Sequence, residues 1–97
     1  MLVIDSETGK TMAIVDIEGD TDDLFYDASS RKIYVSCGAG FIDVIKQTDP
    51  DNYQVISKPE SRSGARTSLF VPELKQLFVA APARSGEEAR LMIFQAK

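Results

Sequence analysis

The 97-residue sequence contains no histidine, no tryptophan and a single cysteine, Cys37. One cysteine forms no disulfide within the chain, and the lack of histidine excludes metal sites built from Cys and His together. It also excludes the Ser-His-Asp and Cys-His catalytic arrangements. Only carboxylate, lysine, tyrosine or cofactor chemistry would remain for an enzyme. The composition therefore makes an enzyme less expected, and we predict a protein that is not an enzyme and carries no cofactor.

Long runs of charge and of apolar residues are also missing. The 11 basic and 15 acidic side chains give a net charge of −4, and no cluster of Lys or Arg could neutralise a series of phosphates. No apolar stretch approaches the roughly 20 residues that cross a bilayer. Met1 leads directly into an apolar strand instead of a signal peptide. We expect neither nucleic acid nor membrane as a partner, and the cellular compartment stays open.

Short β-branched and aromatic segments recur along the chain every 8 to 12 residues or so, and no window shows helical spacing. This pattern predicts an all-β protein. Nine strands are expected, at Leu2–Asp5, Thr11–Ile17, Leu24–Asp27, Lys32–Ser36, Phe41–Gln47, Tyr53–Ser57, Ser68–Val71, Gln76–Ala80 and Arg90–Gln95.

The two halves of the sequence align with each other. Residues 27–35 match residues 71–79 in their hydrophobic, basic and aromatic positions, and Val3-Ile4-Asp5 matches Val44-Ile45-Lys46. A repeat of about 40 to 45 residues with four strands is typical of β-propeller blades. We therefore expect one partial propeller unit of two four-stranded antiparallel blades, at about 1–40 and 41–80, with an extra strand at about 90–95.

The same residues resemble a known repeat. The chain is similar over nearly its whole length to the bacterial YVTN-type propeller repeat, through Val3-Ile4-Asp5, Gly9-Lys10, Ile14-Val15, Gly19, Asp22 and the segment Arg31-Lys32-Ile33-Tyr34-Val35-Ser36. The second copy departs from the pattern, with Leu77-Phe78-Val79-Ala80 in place of Ile33-Tyr34-Val35-Ser36. The resemblance implies the C-terminal part of a larger propeller and allows an exported protein. It does not imply a ligand, since this fold serves many functions.

Several strands are apolar on consecutive residues, notably 24–26, 69–71 and 91–94, which is expected of sheets covered on both faces. Two blades would leave outer faces and strand edges uncovered. The sequence also begins and ends inside a repeat. The chain is then a fragment of a longer propeller, a self-associating ring or clamp, or a sandwich of two packed sheets, and we expect self-association through the exposed faces.

Loops at 18–23, 37–40, 58–67 and 81–89 are expected at one end of the sheets, where propellers usually bind ligands. Asp22 and Asp23 belong to an acidic loop that offers oxygen ligands to Ca²⁺, although a solvated turn is favoured. Arg62 and Arg66 are able to hold a carboxylate or phosphate. Pairing of Arg66 with Asp22 or Asp23 is the favoured alternative.

Two smaller features of these loops have structural interpretations. Cys37 is predicted to be packed and unreactive, although a neighbouring cation would make it a reactive thiol. The segment Gly38-Ala39-Gly40 is predicted to be a turn between blades. Together these expectations favour a non-enzymatic propeller scaffold or binding module. The alternative is a fragment of a propeller enzyme, of the lactonase or quinoprotein dehydrogenase type, that is inactive alone.

Overall fold

The structure, a computed structural model, describes residues 1–4, 6–19, 21–49, 52–65, 67–83 and 86–96, with the Asp22 side chain also outside the description. Within these residues all helical or extended elements are β-strands, with no helix among them, which confirms the all-β prediction. The nine strands are β1 Leu2–Ile4, β2 Thr11–Ile14, β3 Thr21–Asp27, β4 Lys32–Cys37, β5 Phe41–Asp49, β6 Asn52–Ser57, β7 Thr67–Val71, β8 Gln76–Ala81 and β9 Arg90–Gln95. Each lies within about three residues of its predicted place.

The strands form three antiparallel sheets, in each of which consecutive strands are neighbours. Strands β1 and β2 make the N-terminal sheet, β3 to β6 the central sheet, and β7 to β9 the C-terminal sheet. No helix in the described residues is long and apolar enough to cross a membrane.

The division into sheets differs from the expected division at residue 40. Strands β4 and β5 pair from Lys32↔Lys46 to Cys37↔Phe41, so residues 38–40 form a turn inside the central sheet and not a turn between sheets. Strand β9 likewise pairs with β8 instead of opening a further sheet. The physical reason is that a four-strand repeat fixes the period but not the point at which one sheet ends. The chain changes sheet at the connections 15–20 and 58–66.

The central sheet is covered on both faces, which explains its consecutive apolar residues. Ile33 through Cys37 are all buried, although neighbouring residues point to opposite faces. One face, with the side chains Ile33, Val35, Cys37 and Ile45, packs on residues that flank the strands of the N-terminal sheet, namely Met1, Val15 and Ile17. We call this the rear face. The other, the forward face, packs on the C-terminal sheet with Tyr34, Ile42 and Val44.

The sequence repeat also relates the buried residues of β8 to those of β4. Leu77, Val79 and Ala81 of β8 stand where Ile33, Val35 and Cys37 stand in β4, and they pack toward the central sheet. They therefore form the rear face of the C-terminal sheet. A stacked aromatic pair, Tyr34 on the central sheet and Phe70 on β7, joins the two sheets with a centroid distance of 5.1 Å. In both interfaces of the molecule, the forward face of one sheet packs on the rear face of the next.

One forward face and one rear face are left uncovered. The rear face of the N-terminal sheet exposes Leu2, Ile4 and Ile14, and the forward face of the C-terminal sheet exposes Leu69, Leu91 and Ile93. Leu24 and Tyr26, on β3, are also half exposed. They pair with Val35 and Ile33 and so belong to the rear face of the central sheet. The two strands of the N-terminal sheet cover only part of that face.

Candidate functional site at the loop end of the sheets

The loops of all three sheets meet at one end of the molecule, which we call the loop end. Backbone hydrogen bonds connect them: the N–H of Ser61 donates to Gly40 O at 2.8 Å, and the N–H of Gly64 donates to Gly38 O at 2.6 Å. Antiparallel pairing explains this placement, because every second connection of consecutive antiparallel strands returns to the same end. The described residues of the four connections, 15–19, 38–40, 58–65, and 82–83 with 86–89, therefore lie together.

Asp43 of β5 has no exposed surface and is the most buried of the charged residues that the structure describes at the loop end. Its Oδ2 accepts a hydrogen bond of 2.7 Å from the N–H of Glu18 and lies 3.6 Å from Cys37 Sγ. Its Oδ1 has no hydrogen-bond partner and lies 3.6 Å from Lys58 Nζ, which also contacts Glu18 Oε1 at 3.2 Å. Asp43 thus joins the two connections between sheets, at residues 15–20 and 58–66.

Lys58 offsets part of the negative charge of the two carboxyl groups in this cluster. The pKa of Lys58 is raised, mainly by its hydrogen bond to Glu18 and also by the negative charge of Asp43. A buried carboxylate is costly without a partner, and the ammonium group supplies one. The cluster therefore has a structural function, and nothing in the sequence pattern marked Asp43, because an acidic residue inside a strand usually faces solvent.

Cys37 is fully buried beside Asp43. Burial raises the pKa of its thiol, the nearby carboxylate of Asp43 raises it further, and only the hydroxyl of Thr21, 3.6 Å from Sγ, acts in the opposite direction. A reactive cysteine needs the reverse, an accessible thiol with a lowered pKa. The geometry favours the interpretation of Cys37 as a packed side chain.

The acidic loop is described in part. Asp23 Oδ2 accepts a hydrogen bond of 2.7 Å from the N–H of Ser68, so this carboxylate joins β3 to β7. Asp20, Arg66 and the side chain of Asp22 lie outside the described residues. The pairing of Arg66 with Asp22 or Asp23 therefore stays a prediction. No group of three or more His, Cys, Asp or Glu able to hold a metal ion occurs in the part of the chain that the structure describes.

Arg62, the other predicted anion ligand, is engaged within the protein. Its Nη1 donates to Pro82 O at 2.9 Å and to Glu88 O at 2.7 Å, and its Nη2 lies 3.1 Å from Glu87 Oε2. Only 9% of the side chain is exposed. The guanidinium group therefore joins the connections 58–66 and 82–89, which the sequence repeat did not indicate.

Two concave surfaces adjoin β9. A groove of about 320 Å³ lies between the central and C-terminal sheets and is lined largely by apolar side chains, including Ile42, Val44, Ile56 and Phe94. A second hollow of about 540 Å³ lies at the loop end of the C-terminal sheet, lined by Gly64, Thr67, Ala80, Ala81, Pro82, Ala89, Arg90 and Leu91. These walls suit apolar side chains and polypeptide backbone better than a charged small molecule.

Comparison of the chain with models of protein families, with curated proteins and with solved structures found no match.

Proposed function

We propose that this chain is a non-enzymatic scaffold of the propeller-repeat type, which binds further copies of itself through its uncovered sheet faces. One observation carries the proposal: forward-on-rear packing occurs twice within the molecule, and one face of each kind is left exposed. The two exposed faces are therefore of the two kinds that pack on each other inside the molecule. A second copy placed head to tail would form a third interface of the same type.

The arrangement of the sheets supports the propeller interpretation. Strands β3 and β7, the first strands of successive sheets, lie against each other, as do the innermost strands of neighbouring propeller blades. The central sheet has the four consecutive antiparallel strands of a blade. Propellers close with about four to eight blades. The chain has three sheets, one of two strands and one of three, and in this proposal copies of the chain supply the further blades of a ring.

The non-enzymatic part rests on how the reactive side chains are used. Cys37 and Asp43 are buried in contact with each other, and the guanidinium of Arg62 is engaged by loop atoms. Each of the three contributes to holding connections or sheets together. With no histidine in the sequence, the exposed apolar faces are the feature of this chain most suited to recognition.

The exposed face of the C-terminal sheet can be tested with one pair of variants. Leu69 is 57% exposed on the forward face, and Leu74 is 56% exposed in the turn between β7 and β8. Leu69→Asp would place a charge in the proposed contact, and Leu74→Asp adds the same charge outside it. Sedimentation equilibrium and light scattering at micromolar concentrations give the mass of each protein.

We expect the unmodified protein to exceed the monomer mass of 10.7 kDa. Leu69→Asp should weaken association at least about tenfold, since a desolvated charge costs more than the 1.4 kcal/mol that a tenfold change represents. Leu74→Asp should leave association unchanged, and circular dichroism checks that all three proteins remain folded. A monomer at every concentration, or equal effects of the two variants, would contradict the proposal.

A further inference from the structure

We propose that self-association proceeds by strand exchange: strand β2 of a second copy pairs with the open edge of β9 and leaves its own β1. The C-terminal sheet would then have four strands, β7, β8, β9 and the β2 of the second copy, like the central sheet. This inference rests on the self-association proposed above, but in it the forward face of the C-terminal sheet packs on the central sheet of the second copy once the β2 of that copy has left β1.

Strands β1, β5 and β9 occupy the same place in the repeat. Val44 of β5 pairs with Tyr34, and Ile93 of β9 pairs with Phe78, the repeat counterpart of Tyr34. On its other edge Val44 pairs with Ser57 of β6, as Val3 of β1 pairs with Ala13 of β2. Ile93 is therefore the counterpart of Val3. The two strands also agree in sequence, since Met1-Leu2-Val3-Ile4 and Leu91-Met92-Ile93-Phe94 are apolar throughout.

The backbone contacts at the start of these strands repeat as well. Ile42 N–H donates to Pro59 O at 2.9 Å. At the equivalent position, the amino group of Met1 donates to Val15 O at 2.8 Å, and the N–H of Val15 donates back to Met1 O at 2.9 Å. Leu91 is the counterpart in β9. Its N–H is placed to donate to the Val15 carbonyl of a second copy.

The hollow at the loop end of the C-terminal sheet corresponds to a surface of the central sheet that is covered by a connection of the chain. On the central sheet, residues 59–64 lie across the turn 38–40, with hydrogen bonds to Gly38 O and Gly40 O. Pro82, Ala89 and Leu91, which line the hollow of about 540 Å³, hold the equivalent positions in the C-terminal sheet. Strand exchange would bring the connection 15–19 of the second copy, which follows its β2, into this hollow.

The exposed side chains of β9 and β3 become buried in the same arrangement. Leu91 and Ile93 would take the places of Met1 and Val3 against the central sheet of the second copy. Strands β7 and β8 would then cover the inner part of that sheet. Leu24 and Tyr26, both 50% exposed, lie in that part, which the short β1 and β2 leave open.

Strand β2 of the second copy would also place a side chain in the groove between the central and C-terminal sheets. Ile14 is 72% exposed and pairs with Leu2. Since Met92 is the counterpart of Leu2, Ile14 of the second copy would lie beside Met92 and point toward the central sheet of the first. The groove of about 320 Å³ lies on that side of β9, lined by Ile42 and Phe94. An apolar side chain therefore enters an apolar groove.

Removal of residues Leu2–Ile4 tests the competition between β1 and β9. Because β1 holds β2 through the pairs Leu2↔Ile14, Val3↔Ala13 and Ile4↔Thr11, its loss should tighten association about tenfold or more, since the hydrogen bonds of this pairing no longer compete with β9. Val3→Asp weakens β1 without shortening the chain and should act in the same direction. If both variants fold and associate no better than the unmodified protein, strand exchange is wrong.

A disulfide tests the pairing directly. In the double variant Ala13→Cys/Ile93→Cys, the two cysteines would be opposite each other on paired strands, within disulfide reach. They should give covalent dimers on mild oxidation, measured on a non-reducing gel. The control Ala13→Cys/Leu69→Cys places the second cysteine on the same face, but on β7, and should give few.

The outcomes separate the two proposals. Light-scattering association that Leu69→Asp abolishes, without the cysteine link, would overturn strand exchange and leave face-to-face association standing. A protein that remains monomeric in all variants would overturn both.

Discussion

Asp23 Oδ2 accepts a hydrogen bond of 2.7 Å from the backbone N–H of Ser68, across the boundary between the central and C-terminal sheets. Ser68 Oγ also lies 2.6 Å from Ser36 Oγ of the central sheet. Both contacts are polar and lie next to an apolar interface. They therefore fix how β7 is placed along β3, which the apolar contacts alone would determine less strictly because the hydrophobic effect is not directional.

Asp23→Ala is expected to destabilise the protein by about 1–3 kcal/mol, because the N–H of Ser68 loses its acceptor in a half-buried place. Asp23→Asn keeps an acceptor oxygen of the same geometry and should cost less than about 1 kcal/mol. Urea unfolding followed by circular dichroism measures both values. Equal losses for Ala and Asn would show that charge, and not this hydrogen bond, is what the carboxylate contributes.

The strand positions could be predicted from sequence because the signals are local. Consecutive apolar residues such as Leu24-Phe25-Tyr26, bounded by turn residues such as Asp27 and Gly40, mark a strand wherever the sheet lies. The structure places strands over all of these segments. The order of the strands also predicted that every second loop lies at the same end of the sheets.

The division into sheets and the polar contacts could not be predicted in this way. Whether residues 38–40 turn back within a sheet or cross to another depends on the packing of strands far apart in sequence. Asp43 is a single acidic residue between the apolar pairs Phe41-Ile42 and Val44-Ile45, and only its contacts with Glu18 and Lys58 show how the buried charge is held. Arg62 similarly resembled a surface ligand because its partners, in residues 82–88, come about 20 residues later.

Asp27 predicts a dependence of stability on pH. It is buried at the end of β3, and its pKa is lowered, chiefly by the hydrogen bond from Ser30 Oγ at 2.7 Å and also by those from Ser29. A carboxylate with a lowered folded pKa stabilises the protein fully above its unfolded pKa, which for an aspartate is ordinarily near 3.8. This contribution is lost as the pH falls through the lower folded value.

The free energy of unfolding should therefore fall between about pH 5 and pH 2 more steeply in the unmodified protein than in Asp27→Asn, which cannot titrate at this position. Urea unfolding at a series of pH values gives the two curves. Ser30→Ala, which removes the main cause of the shift, should give an intermediate slope. Parallel curves for the unmodified protein and Asp27→Asn would mean that Asp27 has the same pKa folded and unfolded.

Gly40 determines how closely the connection 58–66 approaches the central sheet. Its φ is +107°, and an added Cβ would lie 3.3 Å from the backbone N of Ser63 and 3.6 Å from the carbonyl carbon of Arg62. Gly9 also has a positive φ, +73°, but an added Cβ there would meet nothing within 4 Å. The two positions therefore separate backbone strain from close approach.

Gly9→Ala should cost about 1–2 kcal/mol, the strain of a left-handed conformation in a residue with a side chain. Gly40→Ala should cost clearly more, about 2–4 kcal/mol, because the backbone of the connection must also move. Urea unfolding measures both, and the Gly40 variant should in addition expose Cys37 to a thiol reagent, since the same connection supplies Lys58 to the Asp43 cluster beside it. Equal costs at the two glycines, with Cys37 still protected, would show that the connection does not depend on close approach at Gly40.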